Sequence, residues 1–332
     1  MSKTQGRLDR LAPAWRSTLV YALFLLIAVG ASARAEYPER EIRLAIGFPP
    51  GSGADLYVRY FAEKLKLVSG GTVIVENKPG AAGNLAATYV SKAKPDGYTV
   101  LTAGGSGLAS SMSLFKSPPI NPFTDLELLG TLFKQPWTLV VDAKAPFKSL
   151  PELTAHLKER GSKGSYGVAT PTGIVMAEIY KSVAGLQTAQ VNYKTPADAM
   201  NDLLSGSLDM LMADPGFARG QTSAGKIRPL AVSTASRLKA FSEVPTMAEG
   251  GVPGIDLQVW WVTAVPAGTP APIKEKLRGW FEKILQMPET EKVFAETGSD
   301  LFFSTPEQAS AYLRQEIEAW KTYVRRANID PQ

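Results

Sequence analysis

Ile42-Arg43-Leu44-Ala45-Ile46-Gly47-Phe48 runs directly into Pro49-Pro50-Gly51-Ser52-Gly53-Ala54-Asp55, and the reading of this junction decides the fold class. The first run is short, apolar and β-branched, which predicts a strand. Gly51 and Gly53 break it, and residues 54–68 then carry a helical pattern. The same unit recurs along the chain. Strands are predicted over 72–76, 98–103, 138–142, 166–170, 189–193, 208–213, 227–233 and 259–265. Helices are predicted over 82–93, after Gly104-Gly105-Ser106-Gly107, from Ser149, over 174–183, from Thr195, over 272–286 and 288–297, and from Thr305. Strands alternating with helices indicate an α/β protein with parallel sheet.

Several helix starts are written plainly. Ser149-Leu150-Pro151-Glu152 and Thr305-Pro306-Glu307-Gln308 have capping-box spacing. Thr195-Pro196-Ala197-Asp198 places a cap, a Pro at the first helical position and an acid behind it. Leu313, Ile317, Trp320 and Val324 form one apolar face, so the last helix packs on a domain.

Composition excludes much chemistry. The 332 residues hold no Cys and one His, so thiol catalysis, disulfides and Cys-ligated metals are ruled out. His156 lies in the polar run Glu152–Arg160 and reads as part of a solvated helix face. No His/Asp/Glu group has metal-ligand spacing, so neither metal nor cofactor is expected. The P-loop pattern is absent, and Leu56 replaces the third Gly of a dinucleotide fingerprint. Basic residues form no stripe, which argues against nucleic acid as a partner. Trp260-Trp261 could line a pocket, but strand tryptophans are more often core.

Residues 1–35 read as a cleavable export signal. Lys3, Arg7, Arg10 and Arg16 precede the uncharged run Ser17 to Gly30, and Ala33-Arg34-Ala35 supplies small residues, with cleavage expected after Ala35. The run is shorter than the roughly 20 residues that span a bilayer. A periplasmic location follows as an expectation. The leader holds five of the 36 basic and one of the 31 acidic residues. A chain beginning at Glu36 therefore carries 31 basic against 30 acidic groups, and no global field draws in an anion.

Recognition would have to be local. Phe48 to Asp55, Gly104 to Gly107, Thr170-Pro171-Thr172-Gly173 and Asp214-Pro215-Gly216 all join a strand to a helix through small residues. Helix N-termini present unpaired N–H groups and favour an anion, and ligands of open α/β sheets sit beyond the strand ends. Ser52, Ser106, Thr172 and Asp214 can equally be helix caps, and the two roles can coexist.

The chain resembles the Bug-type receptors of tripartite tricarboxylate transporters. Tyr37-Pro38-Glu39-Arg40 leading into the Gly47–Asp55 loop resembles their opening. Val75-Glu76-Asn77-Lys78-Pro79-Gly80-Ala81-Ala82-Gly83-Asn84 and Pro95-Asp96-Gly97-Tyr98-Thr99 match further signatures. So do Val191-Asn192-Tyr193-Lys194 with Asp202-Leu203-Leu204-Ser205-Gly206, and Pro266-Ala267-Gly268-Thr269-Pro270. The resemblance covers essentially the whole chain after the leader. It implies a periplasmic-binding-protein-like fold with two α/β domains and a ligand cleft between them. Residues 36–138 plus 261–332 would form one domain and 139–260 the other.

It also implies a small carboxylate ligand, di- or tricarboxylate or aromatic acid, handed to membrane permease subunits of a tripartite tricarboxylate-type transporter. A sensor that docks a two-component kinase is the alternative within binding. The protein is expected to be a monomer without catalytic residues. A periplasmic hydrolase using Ser52 or Ser106 lacks both G-x-S-x-G and a credible base. Carried over residue by residue, Phe48, Pro50, Gly51, Ser52, Gly53, Ala54 and Asp55 would contact the proximal carboxylate, with Gly105 and Ser106 beside it and Asp214 at the cleft. Thr170, Thr172 and Gly173 stand where relatives have a G-x-G-S loop followed by a His. They would face the distal end of the ligand. Ile174, Val175 or Met176 behind this loop would suit a longer or more apolar acid, or form the buried face of the helix.

Overall fold

The structure is a computed structural model that describes residues 37–193, 195–327 and 329–331. The predicted export signal lies outside the described residues. Arg40–Gln332 is one compact unit.

Two sheets carry the unit. The first contains β1 (Ile42–Ile46), β2 (Val73–Asn77), β3 (Thr99–Gly104), β4 (Leu126–Pro136), β10 (Gln258–Pro266) and β11 (Asp300–Leu301), in the order β11-β4-β10-β3-β1-β2. The second contains β5 (Thr138–Asp142), β6 (Ser165–Val168), β7 (Ala189–Asn192), β8 (Met210–Ala213) and β9 (Ile227–Val232), in the order β7-β6-β8-β5-β9. Neither is purely parallel, which corrects the expectation from sequence. β1 runs parallel to β2 and β3, but β10 runs against β3 and β4. Likewise β6 is parallel to β7 and β8, while β5 runs against β8 and β9. The reversed strands are β10, with the short β11, in the first sheet and β5 in the second, and β5 and β10 are the strands the chain enters as it passes between sheets. One passage is Trp137, between β4 and β5, and the other lies between β9 and β10.

The helices form for local reasons. In α1 (Gly53–Ser69), Ser52 caps the start and Gly70, at φ 68°, closes the end. Tyr57, Val58, Phe61 and Leu65 are buried on one face. That face meets Phe133 of β4 and Phe294, with ring centroids 5.0–6.2 Å apart. The following helices are α2 (Asn84–Ser91), α3 (Gly105–Leu114), α4 (Leu150–Arg160), α5 (Pro171–Ala184), α6 (Pro196–Leu204), α7 (Pro215–Ser223), α8 (Ala271–Leu285), α9 (Pro288–Glu296) and α10 (Pro306–Arg326). Thr195 caps α6 through the Asp198 N–H, and Thr305 and Gln308 close a full capping box on α10. Leu313, Ile317, Trp320 and Val324 are buried as the spacing predicted. At α4 the box is altered: Ser149 accepts from the Glu152 N–H, but the Glu152 carboxylate takes the N–H of Lys148.

β4 is absent from the sequence reading. Nearly all of its residues are buried, so it shows no two-residue alternation. Gly130 within it has φ 150°, and a Cβ there would lie 2.6 Å from the Ser304 carbonyl.

Candidate functional site

A cavity of about 200 Å³ lies between the two sheets. Its wall is made largely of helix beginnings. Ser52 and Ala54 belong to the start of α1, Gly83 and Asn84 to α2, Ser106 to α3, Thr170 to Thr172 to α5, Pro196 to α6 and Asp214 to α7.

The first loop is held from behind. Ser52 Oγ accepts from the Asp55 N–H at 3.2 Å and donates to the Pro49 carbonyl at 2.8 Å. The Asp55 carboxylate accepts from the Gly51 N–H, Arg59 Nε and Asn77 Nδ2, each at 2.8 Å. Asn77 also donates to the Phe48 carbonyl at 3.0 Å. Burial pushes the Asp55 carboxyl up, but Arg59, Asn77 and the Gly51 N–H outweigh it and hold it below the usual carboxylate range.

The second loop runs from Pro79 to Asn84. Gly80, Ala81 and Gly83 all have positive φ, at 132°, 46° and 91°. Gly47 packs against it so closely that a Cβ there would lie 2.5 Å from Gly83 Cα. Asn84 Nδ2 donates to the Ala81 carbonyl, and Ser111 Oγ donates to Asn84 Oδ1. In the third loop, a Cβ on Gly105 would meet the Trp260 ring at 2.2 Å.

The second sheet supplies Thr170, which caps α5 through the Gly173 N–H, and Asp214, which caps α7 through the Phe217 N–H at 2.9 Å. Burial raises the Asp214 carboxyl above its ordinary value, against backbone N–H groups that lower it.

Of the residues expected at the ligand, Phe48, Ser52, Ala54, Ser106, Thr170, Thr172 and Asp214 line this cavity. Pro50, Gly51, Gly53, Asp55, Gly105 and Gly173 are not among its lining residues. Asp55 and Gly51 brace the first loop, and Gly105 seats the third against Trp260. The wall also includes residues that the sequence reading did not assign to the site: Pro79, Gly80, Gly83 and Asn84, then Gln135, Trp137, Val259 and Trp261. The first four sit in a stretch that carried the family resemblance, which was the available signal. The others lie on or beside strands that pass between the sheets and carry no local mark.

The adjacent tryptophans divide as strand residues do. Trp261 lines the cavity beside Phe48, with ring centroids 5.8 Å apart, and its Nε1 donates to Gln135 Oε1 at 3.1 Å. Trp260 points the other way and meets Tyr312 edge-on. His156, expected on a solvated face, is half-buried, pairs with Asp209 at 3.1 Å and packs on Phe147. None of the lining residues is Lys, Arg or His. Among the described residues no group of His, Asp and Glu could hold a metal ion.

Two α/β lobes with a cavity between them, walled by helix beginnings from both, define a solute receptor of the periplasmic-binding-protein type. The chain belongs to the tripartite tricarboxylate transporter family receptors, whose family model matches residues 57–329. It is 29% identical to the protein BugT of Bordetella pertussis, over 93% of this chain and 97% of that one. Among solved structures, the periplasmic binding protein BugD is 29% identical, with a TM-score of 0.84 over 89% of this chain and all of that one. Rpa4515 of R. palustris, solved with adipate, is 29% identical, with a TM-score of 0.85 over 90% of this chain and all of that one.

Proposed function

We propose that this protein is a periplasmic receptor that captures a small carboxylate between its lobes and delivers it to a membrane permease of the tripartite tricarboxylate type. The observation that carries the reading is the convergence of helix N-termini from both sheets on one cavity that holds no basic side chain. Such ends attract an anion through unpaired N–H groups and the helix dipole. α3 has no capping side chain, so no hydroxyl or carboxylate of the protein competes with a ligand carboxylate for its first-turn N–H groups. The adipate of Rpa4515 and the family membership support the ligand class and the transporter. The sheets support drawing the lobe boundary at Trp137 and just before Gln258, with residues 40–136 and 258 onward in one lobe.

A binding role also suits the serines. Ser52 Oγ donates to the Pro49 carbonyl and Ser106 Oγ to the Gln258 carbonyl, so neither is set against a base as a nucleophile would be. The leader read from the sequence and the family membership support a periplasmic location, and no described helix is long and apolar enough to cross a membrane.

The test is a thermal-shift screen of the chain from Glu36 against mono-, di-, tri- and aromatic carboxylates. A ligand at a hundredfold its Kd adds about 2.7 kcal/mol of stability. Stabilisation by neutral solutes, with none by any carboxylate, would sink the proposal.

A further inference from the structure

Resting on the carboxylate reading, we infer that the captured acid carries a single carboxylate, held by the first lobe, on an apolar body that lies against the second lobe, and that diacids are turned away.

The helix starts that face the cavity differ by lobe. In the first lobe, α3 opens on Gly104-Gly105-Ser106-Gly107, with neither a proline nor a capping side chain. Gly104, Ser106 and Gly107 line the cavity, and the Trp260 ring packed on Gly105 holds the turn from behind. No side chain of the protein takes the N–H groups of this turn. In the second lobe, three helices bring their starts to the cavity, and each begins with a capping residue followed by proline: Thr170-Pro171 on α5, Thr195-Pro196 on α6 and Asp214-Pro215 on α7. Proline has no N–H to give. The cap then takes the N–H two residues beyond it: Gly173 donates to Thr170 Oγ1 at 3.2 Å, Asp198 to Thr195 Oγ1 at 3.2 Å and Phe217 to Asp214 Oδ1 at 2.9 Å. The Gly216 N–H of α7 is also drawn to the Asp214 carboxylate. The dipoles of these helices remain, but most of the hydrogen bonds that would seat a carboxylate are already spent.

The rest of the wall is apolar. Trp137, Leu211 and Met212 line the cavity on the second-lobe side, and Phe48, Val259 and Trp261 on the first. Among the described residues, the one charged group of the wall is Asp214, which is 9% exposed and has its carboxylate pressed on Gly53. A second carboxylate reaching the second lobe would be stripped of water beside Asp214, with neither a cation nor an open helix start in its place. A methyl group or ring edge meets no such penalty there and gains from the burial of apolar surface.

Calorimetry at pH 8 on the chain from Glu36 compares two pairs matched in length, 4-methylbenzoate with terephthalate and hexanoate with adipate. In each, a methyl group is exchanged for a second carboxylate. The monoacid of each pair should bind at least about tenfold tighter. The neutral 4-methylbenzamide should bind at least about tenfold weaker than 4-methylbenzoate. Pro171→Ala returns an N–H to the start of α5 and should cut the preference for 4-methylbenzoate over terephthalate by about threefold or more. A diacid that binds as tightly as its partner in either pair would overturn the inference and leave the carboxylate reading standing. So would a preference that Pro171→Ala leaves unmoved. If the amide binds as tightly as its acid, or if none of the acids binds, the carboxylate reading falls and the inference with it. The wild-type ranking decides the matter even if the variant does not fold.

Discussion

Gly53 of one lobe faces Asp214 of the other so closely that a Cβ on the glycine would lie 2.4 Å from the Asp214 Oδ1. Nearby, a Cβ on Gly216 would stand 3.0 Å from the Tyr57 hydroxyl. The lobes therefore meet through small residues at the cavity rim, and their approach depends on the missing side chains. Receptors of this kind close as rigid lobes on a hinge, and a ligand shifts that equilibrium by touching both.

Gly53→Ala should hold the lobes apart. The expected outcome is a loss of about tenfold or more in carboxylate affinity, since binding must then pay for the displaced contact. Far-UV circular dichroism should be unchanged. Calorimetry with the strongest ligand of the screen, beside small-angle scattering of the loaded protein, is the check. Unchanged affinity would mean that the rim contact is irrelevant to closure.

Ser233→Ala should weaken the passage between lobes. Ser233 is fully buried, accepts from the Trp137 N–H and donates to the Leu257 carbonyl, so one hydroxyl ties both connecting segments together. Stranding a buried donor and acceptor costs about 1–3 kcal/mol. Urea unfolding should show that loss without a change in slope.

Asp55→Asn should loosen the first loop and flatten the acid limb of stability. The folded carboxyl is held below its usual range, so the stability it contributes is complete above the unfolded value of 3.8 and is lost as pH falls through the folded value. At pH 7 the variant should lose about 1–3 kcal/mol, because Arg59 and the Gly51 N–H lose a charged acceptor. Unfolding followed from pH 2 to 7 tests both statements.

Glu316→Gln should do the reverse. Glu316 lies on α10 between Trp260 and Lys134, with Tyr312 and Tyr323 on its own helix and Asp256 in the same neighbourhood. Burial pushes its carboxyl up to about 7 from 4.5, despite the Trp260 N–H and Lys134. The folded state therefore binds the proton more tightly than the unfolded one. Wild-type stability should fall by about 2–3 kcal/mol as pH rises from 4.5 to 7 and then level off. The glutamine variant should lack this slope, and matched denaturant titrations at pH 5 and pH 8 would show it.

The sequence legibly marked what is settled within one turn of helix. Ser52, Thr195, Asp214 and Thr305 each cap the helix whose start they announced, because a cap needs only the N–H three residues ahead, whereas α5 is capped by Thr170 and not Thr172, and Ser106 caps no helix. The stripe Leu313, Ile317, Trp320 and Val324 followed from helical period alone. The small-residue loops and the two-lobed family pattern were likewise readable before any coordinates. Other features needed the assembled chain. β4 has no alternation to read because it is buried on both faces, and the reversal of β5 and β10 depends on how the chain passes between sheets. Gln135, Trp137 and Trp261 became cavity wall only when β4 and β10 were paired, a contact spanning more than a hundred residues. The division of labour at the first loop was also tertiary: Ser52 faces the cavity, while Asp55 turns back to Asn77 and Arg59. Capping and amphipathicity are decided by neighbours in the chain, whereas an indole in a cavity wall, a buried carboxyl or a glycine pressed on an aspartate is decided by which distant segments are packed together.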